Sequence, residues 1–252
     1  MTNSTEVKAG TAPLSSNLKM LQLLDALADS SGPVGVSQLA RQVGASRSIV
    51  HRQLVTLVAA GWLENLDNGT YALTLRAIRI GQAALRHAGL NARIAERIAA
   101  AAEALGEVVS LAAVDGDEIM VIERGVPTRG VRVTVSHGHR FPIIDSALGL
   151  VLTAYATPDD YRRLVGTGIE LAEPAELESV RSHGYATVLD DEFDPIEVVA
   201  VPVGRAIGGV RYALSAHWPQ GRTKVRDALS VLEPAARDLD DLISATNGLT
   251  SA

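Results

Sequence analysis

The chain has 252 residues, 47% hydrophobic and 21% charged, and no cysteine. Its length suggests two domains or one large one, its composition is globular, and disulfides, thiolate zinc sites and a cysteine nucleophile are excluded. The net charge of −6 is uneven: residues 1–87 carry eight Lys and Arg against five Asp and Glu, the remaining 165 carry 15 against 24, and no acid lies between Asp29 and Glu64. Local positive potential attracts nucleic acid even on an acidic protein, so the basic first third suggests a DNA-contacting module joined to a body with another task.

Residues 1–16 read as a loose polar tail unlike a signal peptide. No apolar run reaches about 18 residues without a charge, so a cytoplasmic protein with no membrane segment is expected. Leu18, Leu21, Leu24 and Leu27, with Leu23 beside them, predict a first helix stopped by Ser30-Ser31-Gly32-Pro33. Ser37 is the expected N-cap of a short second helix ended by Gly44. Ser46 caps a third, Arg47 to Ala60, ended by Gly61, with an apolar stripe through Val50, Leu54, Leu57 and Val58. The period then changes. Trp62 to Leu66 and Tyr71 to Leu75 flank Asp67-Asn68-Gly69 and read as a two-stranded hairpin. Three short helices and a hairpin make a winged helix-turn-helix.

An Ala-rich stretch from Ile78 to Leu105 predicts one or two linker helices. Val108 to Val114 and Ile119 to Ile122 are strands joined through Asp115-Gly116-Asp117; Val131 to Val135, Val198 to Val203 and Val210 to Ala216 are further strands. Asp145 to Tyr155 and Pro174 to His183 are helical, and Lys224 to Ile243 is a terminal helix bent at Pro234. Hairpins dominate the connections, which predicts an antiparallel α+β second domain. The expected division is 17–77 for DNA binding, 78–106 for the linker and 107–247 for sensing and assembly, with a short tail over 248–252.

Arg47, Ser48, His51 and Arg52 fall at i, i+1, i+4 and i+5 and share one face of the third helix, away from its apolar stripe. An α-helix fits the major groove, where Arg and Ser reach base edges and phosphates. Taken alone, this could be an ordinary solvated basic face; the turn spacing, the acid-free window and the wing favour DNA contact.

The segment "LLDALADSSGPVGVSQLARQVGASRSIVHRQLVTLVAAGWLENLDNGTYALT" resembles the DNA-binding domain of the IclR family of bacterial transcriptional regulators. "VSLAAVDGDEIMVIERG", "FPIIDSALGLVLTAY", "VRSHGYATVLDDEFD", "VVAVPV" and "YALSAHWP" resemble that family's effector domain in order and spacing. The resemblance covers about residues 18–245. It implies a GAF-like effector domain, a homodimer or tetramer, and binding to near-palindromic double-stranded operator DNA modulated by a small molecule. Ser48 and Arg52 stand where the family motif has its Ser and Arg, with Ser46, Arg47 and His51 beside them. Ile49 replaces the usual Thr, and the acid at the wing tip disfavours phosphate contact there. The implied effector positions are Ala147, Leu148, Val188, Val198, Ser215 and His217. Mostly aliphatic, with Ser215 and His217 as polar handles, they suit an aromatic or largely apolar ligand.

Two other chemistries compete. His137, His139 and His217, with His183 and the acids Asp190, Asp191, Glu192 and Asp194, could form a metal sensor, although their spacing is unspecific. An enzyme finds less support: there is no nucleophile elbow, phosphate-binding glycine loop or His-Glu-x-x-His. Glu96 and Glu103 alternate with Arg93 and Arg97 as a charged surface. No catalytic residue and no cofactor are expected.

Overall fold

The computed structural model describes residues 12–90, 92–129, 137–190, 195–204 and 212–249. The strand expected over Val131–Val135, the acids Asp191, Glu192 and Asp194, and most of the N-terminal tail lie outside the described residues. The chain divides between Ala84 and Leu85 into two compact units.

The first unit holds helix α1 (Ser15–Ala28), strand β1 (Val34–Gly35), helices α2 (Val36–Gln42) and α3 (Arg47–Ala59), and strands β2 (Leu63–Asn65) and β3 (Thr70–Leu73). Leu23, Leu27, Leu39, Val50, Leu54, Leu57, Leu63 and Tyr71 form its core, each large apolar side chain contributing about 1.5–3 kcal/mol by leaving water. The expected α1 stripe is rotated. Its packed face runs through Met20, Leu23, Leu24 and Leu27, whereas Leu18 and Leu21 are 49% and 56% exposed. Ser37 is not a cap; α2 starts two residues earlier than expected, with Gly35 at its N-cap. The cause is an unforeseen strand: Val34 and Gly35 pair with Tyr71 and Thr70, so the wing has three strands in the order β1-β3-β2.

Helix α3 matches its sequence signals. Ser46 Oγ accepts a hydrogen bond from the Ile49 amide, satisfying one of the donors left open at a helix start. After its last turn Gly61 adopts φ 75, a left-handed conformation costly for other residues.

Helix α4 (Arg76–His87) crosses the division and buries none of its own residues. The second unit continues through α5 (Ala92–Leu105), β4 (Val108–Asp115), β5 (Glu118–Gly125), β6 (Arg140–Pro142), α6 (Ala147–Ala154), α7 (Pro158–Gly166), α8 (Pro174–His183), β7 (Ala186–Asp190), β8 (Ile196–Val203), β9 (Tyr212–Pro219) and α9 (Val225–Leu249). Its strands form one antiparallel sheet in the order β6-β5-β4-β9-β8-β7. This is the expected α+β architecture. Strands β6 and β7 and helix α7 were not expected from the sequence, and α9 passes through Pro234 as one helix.

The two sheet faces differ because strand side chains alternate. One face packs Val109, Leu111, Val199, Val201, Leu214 and Trp218 with residues of α5 and α9. The other presents Ala112, Ala200 and Ala213 to a second core that includes α6. Small residues there let α6 approach, and Gly149 lets its first turn close down: a Cβ at Gly149 would lie 1.8 Å from the Ile143 carbonyl oxygen.

Candidate functional site

Two places have functional geometry, one in each unit. On α3, the Val50–Leu54–Leu57 stripe is buried, which turns Arg47, Ser48, His51 and Arg52 to solvent on the opposite side. Among the described residues no carboxylate pairs with Arg41, Arg47 or Arg52, so their positive charge is not neutralised internally. Ser46 is exposed, but its hydroxyl is engaged by the cap and lies 3.2 Å from that of Ser48. Val55, 51% exposed, falls on the same face one turn beyond His51. It was missed because an isolated Val on a polar face carries no periodic signal, yet an apolar side chain there suits a thymine methyl group.

Behind α3, Arg76 donates to the Ala60 carbonyl at 2.8 Å and lies over the Trp62 ring, 5.7 Å from its centroid. This basic side chain is committed to closing the C-terminal end of α3. The wing tip is fixed by Asn68, whose Oδ1 accepts from the Thr70 amide at 3.1 Å, and Asp67 is exposed beside it.

The second unit encloses a cavity of about 930 Å³ beside the N-terminal end of α6. Five of the six expected effector positions line it: Ala147, Leu148, Val188, Val198 and His217. Ser215 does not; it is fully buried and its hydroxyl lies 2.9 Å from His217 Nε2, so it holds the imidazole rather than facing the opening. Burial drives the His217 pKa down to about 4 and keeps the ring neutral. Its Nδ1 has no hydrogen-bond partner among the described residues.

The cavity also gathers residues that sequence spacing could not assemble, because they come from separate segments of the chain: Phe141, Asp145, Glu170, Leu171, Glu173 and Glu176. Asp145 adopts φ 58, the one non-glycine residue with positive φ among those described. Aspartate tolerates this region better than most residues. Ser146 follows as the α6 N-cap, accepting from the Gly149 amide at 3.0 Å.

The histidines do not assemble into a metal centre: among the described residues no group of three His, Asp or Glu side chains could hold an ion. His137 bonds Glu123 at 2.7 Å, His139 meets the Phe141 ring edge-on at 4.5 Å, and His183 bonds the Ser179 carbonyl at 2.8 Å.

Comparison with known proteins bears on both places. Residues 18–67 match the IclR helix-turn-helix domain, and residues 82–245 match the C-terminal domain of bacterial transcriptional regulator IclR. The chain belongs to the IclR family. It is a DNA-binding transcriptional regulator, as the matches to both domains of the family show. The HTH-type transcriptional regulator KdgR of Escherichia coli is 26% identical over 90% of this chain and 91% of its own length. An IclR transcriptional regulator from Alicyclobacillus acidocaldarius has the same fold, with a TM-score of 0.76 at 23% identity over 92% of this chain and 100% of its own. An IclR homolog from Microbacterium hydrocarbonoxydans, solved with 4-hydroxybenzoate, has a TM-score of 0.76 at 21% identity, covering 92% of this chain and all of its own. In IclR terms, α2 and α3 are the helix-turn-helix, and the cavity lies within the matched C-terminal domain. No helix among the described residues is long and apolar enough to cross a membrane.

Proposed function

We propose that this regulator reads its operator through Arg47, Ser48, His51 and Arg52 on α3, assisted by Ser46, and that a small organic molecule held in the cavity of the second unit alters its DNA affinity. The observation that carries the first half is a helix face whose arginines have no internal acidic partner beside a turn that frees them for a groove. Fluorescence anisotropy with promoter DNA from upstream of its own gene tests it. Binding should be specific, steeply salt-dependent and lost with the R47A/R52A pair.

The reading of the cavity rests on its size, which suits a drug-sized ligand, and on an apolar lining that includes Phe141, Leu148, Leu150, Leu171 and Val198. Its effector then has an aromatic or largely apolar body, as 4-hydroxybenzoate does in the Microbacterium homolog. A stabilising thermal shift with such compounds, abolished by Val198→Trp, tests the assignment.

The division of labour is 17–77 for the operator, 78–106 for connection and 107–247 for sensing and assembly. The active form is a homodimer or a tetramer built as a dimer of dimers on a near-palindromic operator in the cytoplasm. Ile78 and Ile80 on α4, 57% and 52% exposed, support pairing with a second copy. Light scattering should find the mass halved in I78K/I80K if α4 pairs with a second copy. The cavity senses: its buried histidine is bonded to Ser215, and among the described residues no third group orients that imidazole as a catalytic base would need.

A further inference from the structure

The charge around the cavity restricts what it binds. Asp145 precedes α6, Glu170 lies between α7 and α8, and Glu173 and Glu176 occupy the start of α8, so carboxylates from separate segments converge on one opening. None of these four is paired with a cation among the described residues. No Lys or Arg is among the described residues that line the cavity. Acids at a helix start favour the helix dipole, which accounts for Glu173 and Glu176. It does not account for Asp145 or Glu170, which lie on loops. Like charges gathered without counter-ions repel one another, and a bound cation relieves that repulsion.

One observation from the interior points to a ligand rather than to an acidic surface alone: His217, 6% exposed, forms part of the lining and its Nδ1 is unpartnered. Whichever role Nε2 takes with Ser215, the neutral ring leaves Nδ1 the complementary one, so one hydrogen bond to a ligand is open. The α6 N-terminus opposes the acids with about half a positive charge, against four full negative ones. Since His217 is kept neutral by burial, the floor adds no cation for a carboxylate.

We infer that the cavity takes an organic cation, an amine carried on an apolar or aromatic body, and discriminates against carboxylates. The body fills the space against Leu148, Val188 and Val198, a polar group of the ligand meets His217 Nδ1, and the ammonium group sits among Asp145, Glu170, Glu173 and Glu176 at the mouth. This rests on the sensing role proposed above and specifies its ligand class.

Calorimetry on the full chain at pH 7.5 and low salt tests it with three probes sharing one ring and a two-carbon tail: tyramine, the neutral alcohol tyrosol and 4-hydroxyphenylacetate. Tyramine should bind at least tenfold tighter than tyrosol, and the carboxylate weakest. E173Q/E176Q should weaken tyramine about tenfold and leave tyrosol unchanged, which also controls for folding. Tyrosol or 4-hydroxyphenylacetate binding as tightly as tyramine overturns the inference. If that binding is lost in Val198→Trp, the sensing role survives without the charge preference. If none of the three binds, the inference falls and the aromatic-effector reading falls with it.

Discussion

The α3 face and the second unit's cavity are built in opposite ways. On α3 the functional side chains stand in water and the fold is held by the residues behind them: Val50, Leu54 and Leu57 are buried while Arg47 and Arg52 are exposed. At the cavity, several functional groups are themselves part of the core, as with Leu148 and His217, which are 3% and 6% exposed. Changes on the first surface should therefore cost binding and little stability, and changes at the second should cost stability first.

The largest expected effect belongs to the cavity wall. Gly149→Ala places a methyl group against the Ile143 carbonyl, and overpacking of this kind costs about 3 kcal/mol or more. Chemical denaturation should find the second unit destabilised by that amount; an unchanged midpoint would mean that the α6 turn yields easily.

Next comes pH. His217 has a folded pKa of about 4, below its ordinary 6.5, so the unfolded chain binds a proton more readily. Its contribution is fully present above pH 6.5 and is lost as pH falls through 6.5 toward 4, by about 3 kcal/mol in all. His217→Gln should flatten that part of the stability profile measured by urea titration, and a parallel decline in both proteins would assign the acid sensitivity elsewhere.

Arg52→Ala should reduce operator affinity by about 1–3 kcal/mol, roughly ten- to a hundredfold, with an unchanged melting temperature. A drop in melting temperature of several degrees would erase the distinction between the two surfaces. The smallest effect is at the wing. Asp67→Lys should tighten binding to any duplex and steepen the salt dependence by about one counter-ion; no change in slope would keep the wing away from phosphate.

How much could be read from the chain follows the same contrast. The helix-turn-helix was legible because its signals are local: Ser46 caps, Gly61 terminates, and the apolar residues recur at the helical period. The exposed cationic face follows from that register. Strand β1 was not legible, since two residues hold no periodicity and their partners Tyr71 and Thr70 are far along the chain. That omission also shifted the expected cap from Gly35 to Ser37. For α1, a run of leucines offered two overlapping stripes, and only packing selected Leu23 and Leu27 over Leu18 and Leu21. Helix α7 did carry a readable start, Thr157 capping Asp160 with Pro158 after it, and was overlooked. Around the cavity, resemblance located five lining residues, but the acids of the mouth come from two loops and the start of α8 and emerge only once the sheet and helices are assembled.

The tight seat of Gly149 has a consequence for how this sensor could change its ligand. The end of α6 is fixed against the preceding loop with no room for even one methyl group, so that wall is not adjustable by single substitutions. Remodelling for a larger or smaller effector must come from the opposite side, where Val188 and Val198 are half-buried and can be exchanged without disturbing a backbone contact of this kind. Variation among descendants of this protein should accumulate on those two strands and spare the helix start.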